Sequence, residues 1–182
     1  LNNIEERLPF KLLGIDPDNG SEFINWQLYL HCLEKEIEFT RGRPMKKNDN
    51  AHIEEKNWTH VRKIVGYARL ETEDELILLN QLYRGPLRHY MNFFQPTMKL
   101  IKKVRIGGML KRKYDKAKTP YQRVLENKYV STEKKQGLKK IYETLNPLKL
   151  KQQIEAITKQ LRGLSEKRKQ TQKKLIQKSL NL

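Results

Sequence analysis

The chain contains the stretch LPFKLLGI at residues 8–15, followed directly by DPDNG at residues 16–20. The first part is a short apolar run, and the second is rich in residues that form turns. This combination predicts a buried β-strand whose carboxyl end delivers an acidic loop containing Asp18.

A helix and a second strand are predicted after this loop. Residues 21–36 carry apolar side chains at helical spacing, and Ser21 is in a position to cap that helix. Residues 37–40 (IEFT) predict a short strand. Residues 41–48 (RGRPMKKN) then predict a basic loop, since Gly and Pro interrupt them.

Two longer helices follow this basic loop. The first is expected over residues 51–65, with Asp49 or Asn50 as its cap. The second is expected over residues 72–94 and opens with an acidic turn, which complements the helix dipole. A Gly-Pro pair at 85–86 is expected to kink or interrupt it.

The last part of the chain predicts a hairpin and three further helices. Residues 98–114 alternate in polarity around a Gly-Gly pair at 107–108, which is typical of a β-hairpin. One helix is expected to begin at Thr119-Pro120 and another to cover 131–145. From Pro147 onward a third helix carries one apolar seam, formed by Ile154, Ile157, Leu161 and Leu164.

Positive charge is concentrated in the second half. The 182 residues carry a formal net charge of +17. Residues 1–97 contain 13 Lys and Arg against 15 Asp and Glu, whereas residues 98–182 contain 25 against 6. This asymmetry indicates a polyanion-binding part, and nucleic acid is the leading partner; a lysine-rich solubilising tail is the alternative. A membrane partner is not expected, because the basic half shows no stripe of Trp and Phe beside its lysines. The longest apolar run, residues 76–79, is far too short to span a bilayer.

Two acidic residues carry the possible chemistry. Asp18 follows the predicted first strand, and Glu54 lies in the first turn of the helix after the basic loop, with 35 residues between them. Carboxylates at a strand end and an early helical turn can converge and share divalent cations such as Mg²⁺. Taken singly, each residue is more simply explained by structure, Asp18 as a turn former and Glu54 as a complement to the helix dipole.

Three linked motifs make the pattern specific. They are DNGSEF at residues 18–23, FTRGRP at 39–44 and KNDNAHIE at 47–54. Together they resemble the integrase core of bacterial insertion-sequence transposases, which are kin of retroviral integrases. The resemblance continues more weakly through YMNFFQP at 90–96 and KTPYQR at 118–123.

The resemblance implies a ribonuclease-H-like α/β fold with an Asp, Asp, Glu catalytic triad. Asp18 matches the second acid and Glu54 the third, both as catalytic residues and as ligands of a two-metal Mg²⁺ (or Mn²⁺) site. The implied activity is metal-dependent DNA strand transfer, the phosphoryl transfer of DNA integration, transposition and recombination. The implied partners are the DNA of transposon ends and target and further copies of the full-length chain, in the bacterial cytoplasm and on the nucleoid.

In the family the first Asp lies on an earlier strand of the same sheet. It has no counterpart here, because only 17 residues precede Asp18 and they contain no strand before the one predicted at 8–15. We therefore expect the C-terminal part of a transposase, and whether it is an enzyme alone stays open. The expected α/β fold is an incomplete ribonuclease-H-like integrase core over 1–97. A small basic DNA-binding segment with a hairpin follows over 98–130, and a basic helical tail over 131–182.

Two functions stay open from the sequence. One is a DNA strand transferase, or part of one; the other is a non-catalytic nucleic-acid-binding remnant that acts through its basic C-terminal half. In the first, DNA contacts are expected from two sets of basic residues, one on the loop before Glu54 and one at the predicted hairpin. In the second, only basic residues of the C-terminal half contribute. The DNA-binding candidates are Arg41, Arg43, Lys46, Lys47, Lys111, Arg112 and Lys113.

Overall fold

A computed structural model describes residues 2–17, 20, 25–43 and 51–180, with the backbone alone at 51–52, 174–176 and 178–180. The chain forms two compact units, residues 1–67 and residues 68–182. It is a mixed helix and sheet protein in which helices predominate. Among the described residues, no helix combines the length and the apolar character needed to cross a membrane. The predicted division into segments 1–97, 98–130 and 131–182 stays a prediction.

The first unit contains a strand–helix–strand arrangement. Its elements are α1 (Asn2–Glu5), β1 (Gly14–Ile15), α2 (Trp26–Glu34) and β2 (Glu38–Phe39). Strands β1 and β2 are parallel, with Gly14 opposite Glu38 and Ile15 opposite Phe39. Parallel strands require a crossover connection, and α2 lies in it.

The prediction of a buried strand over residues 8–15 was wrong in the extent and the burial of the strand. The strand covers two residues, and the Leu13 side chain beside it is 74% exposed. A strand buried on both faces needs neighbouring strands and covering helices. Within the described residues β1 pairs with β2 alone, so most of the apolar run stays irregular and partly exposed.

Helix α2 begins later than predicted. Asn25 is its N-cap and accepts a 2.7 Å hydrogen bond from the backbone N–H of Leu28, whereas the predicted cap Ser21 lies outside the described residues. Asn is at least as good a cap as Ser, because its short side chain reaches the free N–H groups of the first turn. Helix α1 is held to α2 by Glu5, which accepts hydrogen bonds from Lys35 at 2.7 Å and His31 at 2.8 Å.

The helix predicted over residues 51–65 is present but changes its winding. It consists of α3 (Ala51–Asn57), a π-helical turn (Trp58–Arg62) and α4 (Lys63–Val65). It ends at Gly66, whose φ of 81° is available to glycine at little cost. The caps predicted at Asp49 or Asn50 lie outside the described residues.

The second unit is built mainly from five helices among its described residues. They are α5 (Glu73–Arg84), α6 (Pro86–Phe94), α7 (Pro120–Glu126), α8 (Thr132–Thr144) and α9 (Pro147–Leu180). The interruption predicted at 85–86 is confirmed, since Gly85 separates α5 from α6. Rings of Phe93, Tyr121 and Tyr142 pack together where α6, α7 and α8 meet, with centroids 4.9 to 6.2 Å apart.

Helix α9 packs on α5 and α6 through its apolar seam. Ile157 and Leu161 are buried, as the sequence pattern predicts. Beyond the apolar seam, α9 carries Arg168, whose guanidinium lies 3.5 Å from the fully buried carboxylate of Glu75 on α5. Burial opposes ionisation of Glu75, but backbone hydrogen bonds from Glu71 and Thr72 and the charge of Arg168 outweigh it and lower its pKa. The long helix is therefore fixed to α5 by both apolar and ionic contacts.

Candidate nucleic-acid interface

The predicted hairpin is present in the second unit. Strand β3 (Leu100–Ile106) pairs antiparallel with β4 (Met109–Tyr114) through a two-residue turn. Gly107, the first turn residue, has a φ of 60°. A positive φ at this position gives a turn whose twist matches that of the two strands. Every residue of both strands is exposed. We call residues 100–114 the basic hairpin.

Cations cover both faces of the basic hairpin. Its six basic residues are Lys102, Lys103, Arg105, Lys111, Arg112 and Lys113, and its strands contain no acidic residue. Lys102 lies directly opposite Lys113. Lys103 lies directly opposite Arg112. Because successive side chains point to opposite faces, one like-charged pair falls on each face.

These like-charged pairs work against the hairpin itself. Like charges directly opposite each other on paired strands are destabilising, whereas opposite charges contribute roughly 0.2–1 kcal/mol. An isolated two-stranded hairpin is also only marginally stable. A polyanion bound along the hairpin would remove this repulsion, so the charge arrangement favours a binding role over a purely structural one.

The base of the basic hairpin is fixed to α7 by a compact polar network, which we call the hairpin anchor (Thr97, Asp115, Lys118 and Arg123). Backbone groups of Thr97 and Lys118 bond in both directions, at 2.9 and 3.2 Å. Arg123 donates to Asp115 Oδ2 at 2.6 Å and to the Thr97 carbonyl at 2.7 Å. Asp115 Oδ1 also accepts from the backbone N–H of Lys99 at 2.5 Å. Both ends of the hairpin are thereby tied to one helix.

The charge of Asp115 is what holds this network together. The Arg123 guanidinium and the Lys99 N–H lower the pKa of Asp115 from 3.8 to about 2. Because the folded-state pKa is depressed, the stabilisation is fully present above pH 3.8. It is lost as the pH falls through about 2.

We expect Asp115→Asn to loosen the base of the hairpin at neutral pH. The reason is that the amide keeps the shape of the carboxylate but loses its charge-assisted bonds to Arg123. Amide hydrogen exchange of Lys99 and Lys118 should become about three- to tenfold faster. In the unchanged protein the same opening should appear only as the pH falls from about 4 towards 2.

Glu126→Gln is the matched control for this experiment. Its carboxylate forms an exposed ion pair with Lys118 at 2.7 Å, and exposed pairs contribute little. Equal exchange rates in Asp115→Asn and in the unchanged protein would contradict the role assigned to the anchor.

The sequence-predicted DNA-binding residues fall in both units. Lys111, Arg112 and Lys113 form most of β4. Arg41 and Arg43 follow β2 in the first unit and are exposed. Lys46 and Lys47 lie outside the described residues.

The hairpin was predicted from the sequence, but three of its six cations were missed as DNA-binding candidates. Lys102, Lys103 and Arg105 on β3 lie opposite the predicted cations of β4 or beside them. A signal for them was available, because the Gly-Gly turn sets the register and the register pairs 102 with 113 and 103 with 112. The anchor residues Asp115 and Arg123 were also missed as functional positions.

Of the two predicted catalytic carboxylates, Glu54 alone lies among the described residues. Asp18 lies outside the described residues, and Glu54 is exposed in the first turn of α3. Nearby, Asp16 follows β1 and accepts a 3.0 Å hydrogen bond from the Thr40 hydroxyl after β2. The described part of the chain contains no group of three or more His, Cys, Asp or Glu side chains arranged to hold a metal ion. The Mg²⁺ or Mn²⁺ site implied by the resemblance therefore stays a proposal.

Comparison with known proteins finds a similar protein but no family. No protein-family model matches it, and no solved structure matches it. Over 114 residues it is 41% identical to a protein of Sinorhizobium fredii (strain NBRC 101917 / NGR234) named "Uncharacterized protein y4rM". The aligned segment covers 63% of this chain and 32% of that protein, so the chain spans about a third of its relative's length. The chain is similar to that protein over this segment, and the name of that protein assigns neither a family nor an activity.

Proposed function

We propose that this protein binds DNA and that the basic hairpin is its main contact surface. The observation that carries the proposal is the presence of six exposed cations on a two-stranded ribbon, arranged so that like charges face each other. Such an arrangement is stabilised by an anion with closely spaced charges. The DNA backbone has this property, with one phosphate charge per roughly 1.7 Å of helix axis.

The shape of the hairpin also suits a duplex. Strand β3 has seven residues and is therefore about 23 Å long. Two-stranded β-ribbons bind duplex DNA in the major or the minor groove. Lysine and arginine side chains on both faces then reach phosphates of both strands. These contacts position the protein without reading base sequence.

The proposal predicts binding that depends steeply on salt and little on sequence. Each neutralised phosphate contributes about −0.9 to the slope of log affinity against log salt concentration. With the six hairpin cations engaged we expect a slope of about −5 or steeper, the same for two 30-bp duplexes of unrelated sequence. Fluorescence anisotropy with the whole chain, repeated from low to physiological salt, measures this slope. A slope near zero, or undetectable binding at low salt, would contradict the proposal and leave the solubilising tail as the better explanation.

A second candidate function is DNA strand transfer by an integrase core of ribonuclease-H-like fold. It is supported by the three linked motifs and by the parallel β1–α2–β2 arrangement, which is a unit of α/β folds. The Asp16–Thr40 hydrogen bond holds together the two chain segments that leave the carboxyl ends of β1 and β2. Asp18 follows the first of these segments, and the loop leading to Glu54 follows the second. In this proposal both act as catalytic carboxylates with Mg²⁺ or Mn²⁺, DNA ends and target are the substrates, and copies of the full-length protein assemble on them.

A further inference from the structure

The tip of the basic hairpin is apolar, although the rest of the hairpin is densely charged. Ile106 and Met109 flank the turn and lie directly opposite each other. Their side chains are 54% and 70% exposed. Two large apolar side chains at the outermost point of a cationic ribbon have no use in the protein's own core.

The turn between them is narrow. Gly107 needs its positive φ, and this explains glycine at that position. Gly108 does not have a positive φ, and a Cβ placed on it would meet nothing within 4 Å. Neither backbone strain nor crowding inside the protein therefore requires glycine at 108. Glycine at 107 and 108 leaves the turn without side chains, so that Ile106 and Met109 are the side chains nearest the end of the hairpin.

The distribution of charge and apolar surface matches the cross-section of a duplex. DNA places phosphates on the outside and stacked bases inside. The hairpin carries its cations behind the tip, where Arg105 and Lys111 lie one and two residues from the apolar pair. Proteins that bend DNA insert Ile, Met or similar side chains between base pairs from the minor groove, partly unstacking them.

We propose that Ile106 and Met109 form a wedge that enters the minor groove, unstacks one base step and bends the duplex. This inference rests on the proposed function, since the cations must first hold the hairpin on the backbone. The hairpin anchor supplies the mechanical support, because bonds from Arg123 to Asp115 and Thr97 tie both strands of the hairpin to α7.

The test uses the whole chain and two variants that lose matched amounts of apolar surface. Ile106→Ala with Met109→Ala removes the wedge. Leu76→Ala with Ile77→Ala removes two apolar side chains of α5 that are 56% and 57% exposed and lie outside the basic hairpin. A 30-bp duplex labelled at both ends reports bending through energy transfer, and 2-aminopurine at its centre reports unstacking through a rise in fluorescence.

We expect the unchanged protein and the Leu76/Ile77 variant to bend the duplex and raise the 2-aminopurine signal. The Ile106/Met109 variant should keep the steep salt dependence of binding but lose at least about half of both signals. Binding without bending by the unchanged protein, or equal bending by the Ile106/Met109 variant, would overturn the wedge and leave the proposed function standing.

Failure of the unchanged protein to bind DNA would overturn both proposals. Binding to phosphatidylglycerol vesicles that depends on Ile106 and Met109, with no binding to DNA, would instead assign the apolar tip to a lipid surface. The duplex is favoured because cations cover both faces of the ribbon, whereas a surface helix or strand on a membrane presents its charges to one side.

Discussion

Replacing all six basic residues of the basic hairpin with glutamine is expected to remove most of the protein's affinity for DNA. If each residue contacts one phosphate, the slope of log affinity against log salt should become shallower by about 5. A change of that size corresponds to about a thousandfold of affinity between about 50 mM and about 200 mM salt. Anisotropy titrations of the variant and the unchanged protein, at matched salt concentrations, measure both quantities.

A charge-matched control is available on α8 and α9. Six exposed lysines on these helices can be changed to glutamine with the same loss of net charge: Lys134, Lys139, Lys140, Lys149, Lys151 and Lys159. This control should change the salt slope far less, because these lysines contribute to the electrostatic field of the whole protein and are not part of the proposed contact surface. If the hairpin variant and the α8/α9 variant lose the same affinity, DNA binding depends on the total charge of the basic half, and the hairpin has no special role.

The second large effect is expected at the predicted catalytic carboxylates. In a full-length protein that carries this chain together with the first acid implied by the family resemblance, Asp18→Asn or Glu54→Gln should abolish strand joining. Removing one member of a catalytic unit costs roughly a thousandfold or more in rate. DNA affinity should change little, since neither carboxylate contacts phosphate in this proposal. Joining of a labelled, pre-cleaved DNA end to a plasmid, with Mg²⁺ or Mn²⁺ present, is the measurement.

Glu55→Gln provides the matched control for Glu54. It is the next residue on α3, it is also exposed, and its interaction in the structure is a 3.8 Å ion pair with Lys56. The resemblance assigns it no role, so its substitution should leave joining within about twofold of the unchanged rate. Full joining activity in both the Asp18 and the Glu54 variant would eliminate the strand-transfer proposal, and the DNA-binding proposal would be unaffected.

Local patterns in the sequence predicted the helices well. The Gly-Pro break between α5 and α6 and the Pro at the start of α7 act through bonds within a few residues. The two-residue hairpin turn is equally local. These features were predictable because glycine, proline and capping side chains restrict the backbone wherever they occur.

Features that depend on distant partners were not predictable in this way. The run at residues 8–15 has the composition of a buried strand, but burial depends on which strands lie beside it, and β1 is only two residues long. The bond from Arg168 to Glu71 joins residues 97 positions apart, and no local pattern marks it. The Asp115–Arg123 pair is close in sequence. It holds both ends of the hairpin only because the paired strands bring Thr97 beside Asp115 and Arg123, which no local pattern indicates.

The same lysines that favour DNA binding also bear on how copies of the protein behave toward one another. Within the described residues the basic hairpin pairs with no third strand, so the backbone groups along its outer edges are free to pair with a strand of another molecule. Exposed Ile101, Val104 and Leu110 would favour such stacking into aggregates. Repulsion between hairpins that each carry six cations opposes it, as edge lysines do in many sheet proteins. A bound polyanion that neutralises this charge would cover the same surface, so the hairpin is shielded from aggregation in both its free and its bound state.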